Sequence, residues 1–255
     1  MPSAIKHDHE KSSRGLVSLL VEAQGADAAT LEAFLWKTFP DNDCFVCPNV
    51  FVPIPESRGI PHGGLVGVDG TLLWAGHPVG DAKKIEELIE AELAKVKKGW
   101  GDTAEVRKMR AALYGKGDFA GAAAAIATLP DGEHKATLQG EIDKRYGIAK
   151  KSVTALQEQG RFLAAQAAAK SLLKGVGTKA EWVTEVTPIV TSFDTGSGAA
   201  EIALDKKLDK VIKQLRDGKG DGAPKQLQAI IKSGQGTKVG ARAERTLTAL
   251  NTPVK

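Results

Sequence analysis

The feature that most constrains the fold of this chain is a hairpin signal at Asp69-Gly70. Apolar residues at 65–68 and 71–74 flank this dipeptide, and Asp-Gly between two such runs is a strong local signal for an antiparallel β-hairpin. The two-residue turn of such a hairpin requires positive φ angles at its central residues, which glycine adopts without steric cost. We therefore predict an antiparallel hairpin over residues 65–75.

The clearest predicted helix follows this hairpin. Asp81 stands where a helix cap is expected, and Ile85, Ile89 and Leu93 recur at helical spacing over residues 82–97. Acidic and basic residues occupy most of the other positions, which is typical of a helix that buries one face against a sheet.

Upstream of the hairpin, the pattern predicts helix, strand, helix and then an irregular segment. Five prolines between residues 39 and 61 favour a short strand and an ordered loop there, with residues 50–52 as strand-like. The three preceding elements are a polar helix over residues 4–14 ended by Gly15, a buried strand over residues 16–23, and a helix over residues 31–39 capped by Asp27 or Thr30.

Beyond residue 98 the chain consists of alanine-rich segments separated by glycines. Leu156 and Leu215 are 59 positions apart, and so are Gly177 and Gly236. Because small residues let neighbouring helices approach closely, this spacing predicts degenerate helical hairpins.

Composition and charge limit the classes of partner. The net charge of +4 is spread along the chain, so we predict no nucleic-acid partner. No run approaches the roughly 18 apolar residues needed to span a bilayer, and residues 1–15 lack the apolar core of a signal peptide. We expect a protein substrate or partner protein, while the sequence specifies neither the oligomeric state nor the compartment, since a signal could lie upstream.

The two cysteines, Cys44 and Cys47, are separated by two residues. Such a pair can form a redox disulfide, supply half of a zinc site with His62 or His77, or be ordinary buried side chains. Pro48 and the residues after it exclude a long amphipathic helix, so no helix N-terminus is expected to stabilise a thiolate. Buried structural cysteines are the favoured interpretation, and we predict no cofactor and no metal site.

The order of elements over residues 1–97 resembles the thioredoxin fold, in particular the thiol–disulfide oxidoreductases of the resA/tlpA type. The resemblance is carried by residues 14–17 (RGLV), 59–61 (GIP) and 68–78 (VDGTLLWAGHP). It implies that the Ile60-Pro61 peptide bond is cis and that Ile60, Pro61 and His62 line the groove that receives a substrate.

The resemblance also implies a Cys-x-x-Cys at the start of the first helix, where this chain has none. Pro2 resembles the proline that follows the second cysteine by five positions in that family. We therefore expect the first strand and the cysteine loop to be missing upstream of Met1.

These inferences give one fold prediction and two functional hypotheses. The predicted class is α/β plus α, with a thioredoxin-like domain over residues 1–98, truncated at its N-terminus, and an α-helical, tetratricopeptide-like domain over residues 99–255. The first hypothesis is a protein of the thiol–disulfide oxidoreductase class, with Cys44 and Cys47 as candidate redox residues. The alternative is a non-catalytic interaction module that uses a degenerate thioredoxin scaffold and helical repeats.

Overall fold

The computed structural model describes residues 2–22, 24–39, 42, 44–48, 50, 54 and 61–253. This part of the chain is mostly helical, in keeping with the predicted α/β plus α class. Its strands form two separate two-stranded sheets, so the predicted thioredoxin-like sheet is not confirmed. The strands are β1 (Leu19–Val21), β2 (Phe45–Cys47), β3 (Gly63–Val66) and β4 (Leu72–Gly76). The helices are α1 (Pro2–Lys11), α2 (Ala28–Thr38), α3 (Ala82–Lys98), α4 (Ala104–Arg110), α5 (Phe119–Ile126), α6 (Glu133–Glu158), α7 (Phe162–Val176), α8 (Ala180–Thr191), α9 (Gly196–Arg216), α10 (Ala223–Ser233) and α11 (Lys238–Asn251).

The predicted hairpin is confirmed, with a longer turn than expected. Strands β3 and β4 pair antiparallel. The N–H of Gly70 donates to the carbonyl of Gly67 (3.0 Å), and the N–H of Gly67 donates to the carbonyl of Thr71 (2.8 Å). Together with the φ of 85° at Gly70, these bonds match the three-residue loop that ends in a left-handed glycine, rather than a two-residue turn.

The second sheet is a parallel pair formed by β1 and β2. Leu19 lies opposite Phe45, and Val21 lies opposite Cys47. Of the predicted buried strand over residues 16–23, only Leu19–Val21 pairs with β2, and the prediction of burial is wrong because the side chains of Leu19 and Val21 are exposed. Of the predicted strand-like residues 50–52, all but Val50 lie outside the described residues.

Two of the predicted helix ends are confirmed and one differs. Helix α1 passes through one 3₁₀ turn and ends at Gly15, whose φ is 110°, and Asp27 caps α2 by accepting the N–H of Thr30 at 2.8 Å. Asp81 precedes α3 but makes no capping bond with its side chain. Its Oδ2 instead accepts the indole N–H of Trp74 at 2.8 Å, because the hairpin brings that indole within reach.

In the helical half, most consecutive helices pack against each other. One apolar cluster centres on α4 to α8 and a second on α6 to α11. Leu156 and Leu215 lie near the ends of α6 and α9, and Gly177 and Gly236 lie shortly before α8 and α11. The recurrence seen in the sequence therefore falls at corresponding helix ends, as expected if α6–α8 and α9–α11 are related units.

Helix α9 supplies caps to other helices. Glu201 is buried, and its two carboxylate oxygens accept the N–H groups of Lys238 (2.8 Å) and Val239 (3.0 Å) at the start of α11. Asp205, one turn later, accepts the N–H of Leu163 at 2.7 Å, at the start of α7. Two carboxylates on one helix thus satisfy backbone donors that α7 and α11 cannot satisfy within themselves.

The N-terminal elements pack against the helical half at two places. Helix α2 contacts α11, and Trp36 packs against the second apolar cluster. Helix α3 contacts the π-helical turn Ala111–Lys116. The predicted domain boundary near residue 98 coincides with the end of α3, and the division into two domains stays a prediction.

Candidate functional site

The predicted substrate-binding segment leads directly into β3. Pro61 is exposed and His62 is half-buried, and Gly63 is the first residue of the strand. Ile60 lies outside the described residues, so the predicted cis bond between Ile60 and Pro61 also lies outside them. The segment therefore presents an exposed proline at the point where the chain becomes an ordered strand.

The side chain of Trp74 supports the start of this strand. Trp74 lies in β4 and is buried. A Cβ atom at Gly63 would lie 3.4 Å from Cζ3 of the indole, and one at Gly76 would lie 3.5 Å from Cζ2. Because Gly63 and Gly76 are paired across the hairpin, the indole lies within van der Waals reach of both residues of the pair.

Two hydrogen bonds fix the hairpin to α3. The bond from Trp74 to Asp81 ties the open end of the hairpin to the start of the helix. At the turn, the buried Glu92 accepts the N–H of Val68 at 2.9 Å, and Lys95 pairs with Glu92 at 2.5 Å. The hairpin after Pro61 is therefore held at both ends by one rigid helix.

Sequence reasoning did not identify Trp74 or Glu92 as residues of this site. A signal for Glu92 was available, because it lies within the apolar stripe of α3, between Ile89 and Val96. A carboxylate in such a stripe requires a hydrogen-bonding partner when buried. The sequence gives no comparable local signal for Trp74. The position of its partner Asp81 predicts a helix cap, so the pattern does not indicate a hydrogen bond from Trp74 to Asp81.

Ion pairs join the end of α1 and the 3₁₀ turn after it to α3, at positions between Asp81 and Glu92. Lys11 contacts Glu86 at 2.5 Å and Glu90 at 2.6 Å, and Arg14 contacts Glu90 through both terminal nitrogens at 2.9 and 2.7 Å. Hydrogen bonds from Arg14 and then Lys11 lower the pKa of Glu90 to about 2. His7 also contacts Glu86 at 2.9 Å. Polar contacts thus connect α1 to the helix that carries the hairpin.

The structure places both cysteines at β2 and outside any helix. Cys47 lies in β2 and Cys44 immediately precedes it, and no disulfide joins these two described residues. Neither cysteine lies at a helix N-terminus, so the helix dipole is not available to stabilise a thiolate.

The zinc alternative gains no geometric support. Among the described residues, no group of three or more His, Cys, Asp or Glu side chains is arranged to hold a metal ion. His77 is exposed, just beyond the end of β4.

In the described part of the chain, none of the helices is both long enough and apolar enough to cross a bilayer.

Comparison with known proteins gives no further assignment. No protein-family model, curated protein or solved structure matches the chain. The arrangement that remains is an exposed proline at the start of a strand, on a hairpin fixed to α3. Such an arrangement can hold an extended polypeptide.

Proposed function

We propose that this chain is a thioredoxin-like protein of the thiol–disulfide oxidoreductase class, and that it supplies the half of the site that holds a protein substrate. The observation that carries the proposal is the exposed Pro61 at the start of a hairpin that is fixed to α3 at both ends. A rigid strand offers a substrate backbone a defined set of partners, which lowers the entropic cost of binding.

The order of elements supports the same proposal. Along the chain, α1, β1, α2 and β2 precede Pro61, and β3, β4 and α3 follow it. This is the order on which the resemblance to thioredoxin-like proteins rests. The ion pairs between α1 and α3 support it further, because they bring the first and last helices of this unit together.

In this proposal Cys44 and Cys47 have a structural role. Cys44 is buried beside β2, and Cys47 is paired across the sheet with Val21. Exchange between two thiols and a disulfide requires a stabilised thiolate and a nearby second sulfur. Neither cysteine lies at a helix N-terminus, which is one arrangement that stabilises a thiolate.

Two assays test the proposal. In the reduction of insulin by dithiothreitol, we expect the wild-type chain and Cys44→Ala/Cys47→Ala to leave the rate unchanged. In fluorescence anisotropy with carboxymethylated insulin B chain, we expect the wild type to bind and Pro61→Lys to bind about tenfold more weakly, since an apolar contact is lost and a charge is added. Val79→Lys, which changes another exposed apolar residue, is the matched control and should bind as the wild type does.

The outcomes separate the parts of the proposal. Acceleration of insulin reduction by the wild type, abolished in the double cysteine variant, would assign the chemistry to Cys44 and Cys47. Equal binding by Pro61→Lys and the wild type would remove the Pro61 segment from the site. If the peptide bound equally well to the wild type, to Pro61→Lys and to the double cysteine variant, the better hypothesis would be the non-catalytic interaction module, acting through its helices.

A further inference from the structure

The free edge of β1 is a second surface with the features of a binding site. The N–H of Phe45 donates to the carbonyl of Ser18 (3.1 Å), and the N–H of Glu22 donates to the carbonyl of Cys47 (3.2 Å). In a parallel ladder, alternate residues of a strand face the same neighbour. The backbone groups of Leu19 and Val21 therefore point to the opposite edge, where no strand of the described residues pairs with them.

Apolar side chains are exposed on the same strand pair. Val17 is 63% exposed, Leu19 58%, Val21 38% and Phe45 62%. Leu19 and Val21 share one face of β1, and Phe45 is the register partner of Leu19. One face of the sheet is thus apolar and open, although parallel sheets are usually covered on both faces.

The edge lacks the devices that normally keep exposed strands apart. Residues 16–21 contain no charge and no proline, whereas natural edge strands are commonly protected by lysine, proline or a bulge. The nearest charged groups are already engaged, because Arg14 pairs with Glu90 and the carboxylate of Glu22 accepts the N–H groups of residues 24–26. The edge is therefore uncharged and complementary to an uncharged strand.

These features specify the chemistry of the occupant. Unpaired N–H and C=O groups at two-residue spacing can pair with the backbone of an extended segment. A helix cannot pair with them in this way, because its own N–H and C=O groups are already hydrogen-bonded within the helix. The apolar face adjoining them is matched by apolar side chains at alternate positions of that backbone. A sheet of two strands is also only marginally stable, and a third strand would stabilise it.

We propose that β1 binds an extended polypeptide segment, with apolar side chains at alternate positions, as an added strand that pairs with Leu19 and Val21. Strand β1 and the strand that follows Pro61 belong to different sheets, and the proposal does not depend on the function suggested above.

The test uses the full chain and a fluorescein-labelled peptide of alternating threonine and valine with a lysine at each end. We expect saturable binding, and we expect the amides of Leu19 and Val21 to exchange rapidly with deuterium in the free chain and slowly with peptide bound. Leu19→Lys and Leu19→Thr should each weaken binding, the lysine variant about tenfold. Threonine favours strands, so Leu19→Thr keeps β1 intact if lysine disturbs it.

Matched controls separate the edge from the face. A peptide with an N-methyl group on every residue keeps its side chains but has no N–H donor on either edge, so it should not bind. Val79→Lys, which changes an exposed apolar residue outside β1 and β2, should bind the unmodified peptide as the wild type does.

Three results would overturn the proposal. Slow exchange of Leu19 and Val21 in the free monomer would show that another segment already occupies the edge. A dimer in sedimentation equilibrium that Leu19→Lys dissociates, without peptide binding, would identify a second copy as the occupant. Equal binding of the N-methylated peptide would show that the edge is not the site.

Discussion

Removing the carboxylate of Asp81 should loosen the hairpin that follows Pro61. The indole N–H of Trp74 donates to Asp81 at 2.8 Å, and the Trp74 residue is only 8% exposed. A hydrogen bond to a charged group contributes about 1.5–3 kcal/mol, and a buried donor left without a partner loses its hydration as well. For Asp81→Ala we therefore expect local opening of residues 63–76 to become easier by about 2 kcal/mol.

Deuterium exchange of the β3 and β4 amides measures this opening. A change of about 2 kcal/mol corresponds to roughly 30-fold faster exchange where exchange reports the opening equilibrium. In a Trp74→Phe background the ring remains but the donor is gone, so Asp81→Ala should then change exchange by less than about twofold. If Asp81→Ala alone left exchange at residues 63–76 unchanged, the bond to Trp74 would not be what holds the hairpin to α3.

Three further predictions concern the frame around the site. Glu201→Ala removes two hydrogen bonds to a charged group from the start of α11 and should lower the free energy of unfolding by about 3 kcal/mol. The matched variant Thr237→Ala, which removes a local cap of the same helix, should lower it by about 1 kcal/mol. Urea unfolding followed by circular dichroism measures both losses, and a larger loss for Thr237→Ala would contradict the prediction. At Gly99, φ is 78° and a Cβ would lie 1.8 Å from the carbonyl oxygen of Arg107. Gly99→Ala should therefore lower the melting temperature far more than Gly117→Ala, because the φ of Gly117 is also positive but its Cβ would meet nothing within 4 Å. Equal decreases in the melting temperature would refute the close approach at Gly99. The pKa of Glu90 is lowered from 4.5 to about 2, so its ion pairs with α1 stabilise the fold above pH 4.5 and are lost as the pH falls towards 2. The protection of the α1 amides, corrected for the pH dependence of intrinsic exchange, should fall over that range in the wild type. An identical pH profile of protection in Glu90→Gln would count against the pairing.

Local signals predicted the elements whose determinants lie within a few residues. Gly15 ends the first helix and Asp27 caps the second, and both roles follow from the residue type and its place in the pattern. The hairpin was also predictable, but its loop type was not. The choice between two and three loop residues depends on the pairing of Gly67 with Thr71, which neither residue specifies alone.

The remaining features depend on contacts between distant segments. The caps that Glu201 supplies to α11 come from a different helix, over a separation that no local pattern records. The position of β2 is set by pairing with β1. The sequence over residues 45–52 contains more than one short apolar run, and local pattern alone does not say which of them pairs. In the candidate site, the placement of Pro61 and His62 before a strand was predictable, whereas the support from Trp74 required the folded hairpin.

The packing of α2 against α11 has a consequence for how the protein is made. Trp36 contacts the apolar cluster of the last helices, and the amine of Lys37 donates to the carbonyl of Thr252. About 200 residues separate the two helices, so at roughly 5–20 residues per second a ribosome needs on the order of 10–40 s to deliver α11 after α2. During that interval Trp36 lacks its final partner, and the nascent chain exposes it to chaperones and to neighbouring chains.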